Sequence, residues 1–173
     1  MPPQELRFEC NAYGKPSLAA GGPLPVRWEF NLSHTQGLIV LAVTQHREVG
    51  VDVESTQRAV GLEIANHYFA AAEVRQLKQT PPEMQQMMFF RFWTLKEAYI
   101  KARGMGLSLP LSEFSFKLDP RLAPQVSFTT KIVDEPTNWE FFEYDASRDY
   151  RSALAVRCPP DTPIRLVSRE TGP

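Results

Sequence analysis

Phe92-Trp93-Thr94-Leu95-Lys96-Glu97-Ala98-Tyr99-Ile100-Lys101 is the stretch on which the fold turns. It lies in a run of good helix formers that opens at Pro81-Pro82 and closes at Gly104, start and stop signals for one helix of about six turns. At about 3.6 residues per turn, Trp93, Glu97 and Lys101 share one stripe. A carboxylate and an ammonium on a common face, one turn beyond a large aromatic, make either a working group or a solvated ion pair. This helix alone favours the solvated pair, because Glu-Lys spacings of this kind are common on helix surfaces.

Some 40 residues upstream, Gly50-Val51-Asp52-Val53-Glu54 alternates strictly. In a strand, Asp52 and Glu54 then point to one face and Val51 and Val53 to the other. Two acids on one face, after a glycine that lets a ligand or backbone come close, suit a hard divalent cation. A charged strand edge that blocks unwanted pairing accounts for them equally well.

Working outward, the chain of 173 residues has the length of one domain with a real core. Its net charge of -1 gives no sign of a nucleic-acid or membrane surface. Cys10 and Cys158 are far apart and lack metal spacing, so they read as two reduced thiols, at least one of them buried. No leader opens the sequence and no apolar run reaches membrane length, which points to a reducing, cytoplasmic setting. Proline clusters at residues 16 to 25, at 81 to 82 and near the C-terminus read as loop punctuation.

The flanking periodicities place the remaining elements. Leu6 to Cys10 reads as a short strand, followed by a turn at Asn11 to Pro16. Val26 to Phe30 is strand-like, Asn31-Leu32-Ser33-His34 a tight polar corner, and Gly37 to Gln45 a buried strand. That corner is either a simple chain reversal or a nest for phosphate. The short link Thr44 to Glu48 makes the next strand, with Asp52 and Glu54, an antiparallel neighbour of the one before. Leu62 to Phe69 and Ala71 to Gln79 are helical. Met84, Met87, Met88, Phe89, Phe90 and Phe92 in the long helix read as core on more than one side, with Leu95 and Tyr99 continuing it. His46 and His67 match no metal spacing. Beyond Ser112 the period turns twofold: Phe114 to Lys117, Val126 to Val133, Trp139 to Tyr144, Tyr150 to Val156 and Ile164 to Val167 read as strands. The expected class is α+β, with helices in the middle and an antiparallel sheet from both ends of the chain.

Taken together, the Gly-Val-Asp-Val-Glu stretch, the Trp-Thr-Leu-Lys-Glu-Ala-Tyr-Ile-Lys stretch and the following Gly104-Met105-Gly106-Leu107-Ser108-Leu109-Pro110-Leu111 resemble the 4′-phosphopantetheinyl transferase superfamily. Tyr13-Gly14-Lys15-Pro16 and Asn31-Leu32-Ser33-His34-Thr35 resemble segments of its larger, surfactin-synthetase-activator type. The resemblance covers nearly the whole chain. It implies a partial first lobe over residues 1–48 and a second lobe over 49–173, in one compact unit. Only a dozen residues precede the Tyr-Gly-Lys-Pro turn, so the amino-terminal part of the larger type is expected to be missing.

The resemblance also implies a reaction: transfer of the 4′-phosphopantetheine arm of coenzyme A to a serine of an apo acyl or peptidyl carrier protein. Adenosine 3′,5′-bisphosphate leaves, and the pathway served is lipid or secondary-metabolite biosynthesis. Asp52, Glu54 and Glu97 would hold Mg²⁺; three carboxylates about 5 Å apart at an effective dielectric of about 20 repel by roughly 3 kcal/mol per pair, which a cation removes. The absence of a His or Cys cluster argues against zinc. Glu97, directly or through water, takes the serine proton and Lys101 steadies the phosphate charge. Lys15, which by itself reads as solvated, would join Ser33 and His34 in holding the nucleotide end. Trp93 is expected to pack and Lys96 to support the local charge. Residues 55 to 64, with Arg58 beside Val60 and Leu62, are the expected carrier surface, and a monomer is expected over an oligomer. Two other readings stand beside this one: a module that binds coenzyme A or carrier without turnover, and a metal-dependent phosphohydrolase using the same acids.

Overall fold

One helix, α3 (Pro82–Arg103, 22 residues), forms the axis of the protein. In the computed structural model, residues 3–19, 26–145, 147–159 and 163–171 are described. Pro82 occupies the first helical turn, where its missing N–H costs nothing. Gly104 ends the helix in the left-handed region, φ 62°, and donates its N–H to Lys101 O. Phe89, Phe90, Phe92, Leu95, Ala98 and Tyr99 are all buried to within 1%. The helix is therefore core on several sides, although Met84 in its first turn faces solvent.

Beside α3 lies an antiparallel sheet in the order β5 (Val49–Ser55), β9 (Tyr150–Arg157), β8 (Trp139–Tyr144). The approach of β5 to α3 is backbone to backbone. A Cβ placed on Gly50 would stand 2.1 Å from Ala98 O and 2.3 Å from Ala102 N, distances no side chain tolerates. The glycine serves the close approach of a helix.

Around the rest of α3 pack α1 (Ile64–Tyr68), α2 (Ala71–Gln79) and the pair β6 (Phe114–Lys117) with β7 (Gln125–Phe128). Two polar nodes fix this packing. Lys96, fully buried, donates to Leu111 O, Phe114 O and the Glu73 carboxylate, which also accepts the N–H groups of Ala70 and Phe116. Every charge in that pair is thereby matched, as burial demands. Asp134 accepts from the Tyr99 hydroxyl, the Trp139 indole and Arg103.

Ahead of β5 stand two ribbons, β1 (Phe8–Cys10) with β2 (Pro16–Leu18) and β3 (Trp28–Thr35) with β4 (Leu38–Gln45). Here the structure departs from the sequence expectations. Asn31 to His34 is the second half of β3; the chain reverses at Gln36-Gly37, where Gly37 supplies φ 82°. β4 pairs only with β3, and β5 takes β9 as its partner. β4 is half exposed, with Ile39, Leu41 and Val43 facing outward beside Leu32. β7 stops at Phe128, because Thr129 to Ile132 close a turn by Ile132 N–H to Thr129 O. Residues 164 to 167 form no strand, and among the described residues the strands make four separate small sheets. The class is α+β. Pro23, Pro25, Pro160 and Pro173 of the proline clusters lie outside the described residues.

Candidate active site

Three elements converge where β5 packs on α3. Lys101, from the last turn of the helix, donates to Asp52 Oδ1 at 2.6 Å and to Ser33 Oγ at 2.9 Å. Ser33, from β3, donates to Asp52 Oδ1 at 3.0 Å and accepts the Val53 N–H at 3.2 Å. Asp52 is 5% exposed, and its other oxygen, Oδ2, is buried without a hydrogen-bond partner among the described residues. Such an orphan is rare in a folded protein and marks an acceptor waiting for a donor or a cation.

Glu54, two residues along β5, and Glu97, one turn before Lys101, surround this pair. Burial pushes the Glu97 carboxyl up to about 7, and the negative charges of Asp52 and Glu54 add to the effect while Lys101 opposes it. Asp52 is also raised, first by burial, against the pull of Lys101 and Ser33. Burial and Asp52 raise Glu54; Arg58, the Trp93 indole within hydrogen-bonding reach and Lys101 hold it down. The site thus carries more negative charge than one ammonium neutralises.

The donors suit magnesium in kind: all are oxygens, two stand on alternate positions of one strand, and Asp52 Oδ2 has no donor to accept from among the described residues. Among the described residues no three such side chains are gathered as a metal-ion cluster, so ligation would draw Glu54 and Glu97 in towards Asp52. In this arrangement the Lys101 ammonium offsets the charge of Asp52.

Not every residue expected here is brought together. His34 follows Ser33 on the same strand, so the pleat sends it to the opposite, exposed face of the ribbon. Lys15 lies at the end of α3, where its ammonium is shared between Val49 O (3.0 Å) and Ala102 O (2.8 Å). Burial lowers its proton affinity, and Glu29 and Glu48 counter that. Trp93 packs as expected, stacked on Phe89 at 5.8 Å and met edge-on by Tyr68 at 6.0 Å. Lys96 is no rim charge but half of the buried pair with Glu73.

Two participants escape the sequence reading. Asn31 Oδ1 accepts the Val51 N–H at 2.9 Å. Asn11 accepts the N–H groups of Tyr13 and Lys15 and donates to Gly104 O, tying the turn at residues 11 to 15 to the end of α3. The signal for Asn31 is parity: it shares a strand face with Ser33, which a corner at this point conceals. A cavity of about 220 Å³ lined by Leu62, Ala65, Val74 and Leu77 shares no residue with the acid cluster.

The family model described as the 4′-phosphopantetheinyl transferase superfamily matches residues 48–155. A 4′-phosphopantetheinyl transferase of a Nostoc species, HetI, is 39% identical over 144 residues, covering 77% of this chain and 58% of the relative. The Bacillus subtilis 4′-phosphopantetheinyl transferase Sfp is 34% identical over 168 residues, 96% of this chain and 70% of that protein. The chain therefore spans 58% and 70% of the length of these two relatives. Among solved structures, the holo-[acyl-carrier-protein] synthase of Thermotoga maritima superposes with a TM-score of 0.51 at 22% identity, over 65% of this chain and 63% of that one, a likeness of fold.

Proposed function

Because this chain belongs to the 4′-phosphopantetheinyl transferase superfamily, we propose that it transfers the 4′-phosphopantetheine arm of coenzyme A to a serine of an apo acyl or peptidyl carrier protein. The observation that carries this reading is the meeting of Asp52, Glu54, Glu97 and Lys101 at the contact of β5 with α3. The serine oxygen attacks the β-phosphorus of the coenzyme A pyrophosphate, and the bond from that phosphorus to the bridging oxygen breaks. Adenosine 3′,5′-bisphosphate leaves with the bonding electrons.

Glu97 takes the serine proton. Its carboxyl lies beside Asp52 and Lys101 where the acceptor hydroxyl would meet the phosphate, and in the metal-free protein burial and the neighbouring acids push it up to about 7. Lys101 moves its ammonium from Asp52 towards the phosphate as charge gathers on the leaving oxygen. Ser33 holds the shared Asp52 oxygen in place. Magnesium, held by Asp52, Glu54 and Glu97, supplies positive charge to the pyrophosphate when bound. Lys15 and His34, given their placement, are assigned no phosphate contact.

The segment from 55 to 64 is our candidate for carrier contact. Its start is pinned next to Glu54, with Gln86 Nε2 donating to Thr56 O and Arg58 O and the Arg58 guanidinium 3.5 Å from Glu54. No helix among the described residues is long and apolar enough to cross a membrane. We take the setting to be cytoplasmic and the working form to be a monomer.

The test is a mass measurement on an apo carrier protein incubated with this chain, coenzyme A and magnesium. The carrier gains one phosphopantetheine arm under this reading. No gain with several carriers, alongside calorimetric binding of coenzyme A, replaces it with binding without turnover. Release of adenosine bisphosphate with no carrier present replaces it with phosphohydrolysis.

A further inference from the structure

One edge of β5 is paired to β9, with Arg157 N–H on Glu48 O setting the phase, so the backbone groups of Val49, Val51 and Val53 point the other way. Those groups face the β3–β4 ribbon, yet β3 and β5 share no backbone ladder. Side chains serve them instead. Lys15 Nζ donates to Val49 O at 3.0 Å, Asn31 Oδ1 accepts the Val51 N–H at 2.9 Å, and Ser33 Oγ accepts the Val53 N–H at 3.2 Å. The three contacts fall on alternate residues of one strand edge, and Asp52 stands between the last two. Lys15 reaches a second acceptor, Ala102 O on α3, one residue past Lys101.

We propose that Lys15 and Asn31 are positioning residues for the transfer reaction: with Ser33 they form a side-chain ladder along the open edge of β5 that fixes Asp52 opposite Lys101. This rests on the function proposed above. Each rung does a distinct thing. Asn31 holds the Val51 N–H and Ser33 the Val53 N–H, on the residues before and after Asp52, so its stretch of strand has little freedom to move. Lys15 joins the strand to the helix through two carbonyls, setting how far β5 lies along α3. An error of about 1 Å in such a site costs on the order of a hundredfold in rate. Asn31 is 5% exposed, so its amide is held for an internal partner rather than for solvent.

The experiment pairs steady-state kinetics with amide hydrogen exchange on Asn31→Ala, Asn31→Asp, Lys15→Met and Lys15→Arg. For Asn31→Ala and Lys15→Met the expected result is a fall in kcat of roughly 10- to 100-fold, with coenzyme A affinity within about twofold of wild type. Asn31→Asp and Lys15→Arg, which restore the acceptor and the donor, recover most of that loss. In the ligand-free protein the Val51 amide exchanges at least tenfold faster in Asn31→Ala than in wild type. A tenfold loss of coenzyme A affinity at unchanged kcat would make these residues direct substrate contacts and overturn the proposal. Unchanged protection of Val51 would overturn it as well. Should wild type itself show no transfer, the function fails, while the exchange data still decide whether the ladder holds β5. If the alanine or methionine variant does not fold, the Asp and Arg variants carry the same comparison at reduced amplitude.

Discussion

Lys101 Nζ stands 2.6 Å from Asp52 Oδ1, a single hydrogen bond between the last turn of α3 and the middle of β5. The aspartate is buried, and this ammonium, the Ser33 hydroxyl and the Val53 N–H offset its burial. The bond makes the register of strand and helix an electrostatic matter as well as one of packing.

Asp52→Ala and Glu97→Ala are expected to lower transfer by at least about a thousandfold while leaving the thermal transition cooperative. Neither carboxylate belongs to the apolar core that holds the fold: Glu97 is repelled by Asp52 and Glu54, and the Asp52 pair with Lys101 is offset by the cost of burying its charge. A carrier mass assay together with circular dichroism checks this, and transfer near the wild-type rate in either variant would remove the acids from the proposed magnesium site.

The metal-free protein should lose stability as pH rises from about 4.5 to about 7. Glu97 has a higher proton affinity folded than unfolded, so the folded state binds the extra proton in that window and gives it up above it. Its contribution is fully present below the unfolded value and gone above the folded one. Thermal melts of wild type and Glu97→Gln across this range should diverge, with the flatter profile belonging to the glutamine variant. Parallel profiles refute the assignment.

Magnesium and the proton compete for the same carboxyl. Magnesium affinity measured calorimetrically should rise about tenfold per pH unit below pH 7 and level off above it. A pH-independent affinity would place the ion elsewhere.

Removing one partner of the buried Lys96–Glu73 pair leaves an unmatched charge inside the core. Lys96→Met or Glu73→Leu should each cost about 3 to 5 kcal/mol, and the double variant Lys96→Met/Glu73→Leu should recover a large part of that. Denaturant midpoints of the four proteins close the cycle; additive losses would mean that the two side chains act independently.

Gly50→Ala should be disproportionately harmful for one methyl group, since Ala98 O and Ala102 N cannot give way without moving the helix. A loss of about 1 to 3 kcal/mol in stability is expected, with a fall in transfer of about a hundredfold from displacement of Asp52. Wild-type activity in a fully folded variant would show that the spacing of β5 from α3 has slack.

The long helix, its two ends and the acid-bearing strand were legible in the sequence because each is dictated locally: proline and left-handed glycine bound α3, and strict alternation defines β5. Asp52 and Lys101 could be joined only through family resemblance, since nothing local brings residues 49 positions apart together. The amino-terminal ribbons were harder. Asn31 and Ser33 are polar residues pointing inward, with Leu32 and Leu41 outward, so the usual rule of polarity against burial runs backwards there and suggested a corner. Lys96, expected to support the local charge of the site, instead serves the core, because its partner Glu73 lies on another helix and no local pattern joins the two.

An ordinary strand pairing is blind to spelling: peptide groups bond whatever residues carry them. The open edge of β5 is written in three letters, at position 15 in the turn before β2 and at positions 31 and 33 on β3, and each is open to a one-codon edit. A lineage can therefore loosen or tighten the seat of its acidic strand without rebuilding a sheet, and it can lose that seat just as cheaply.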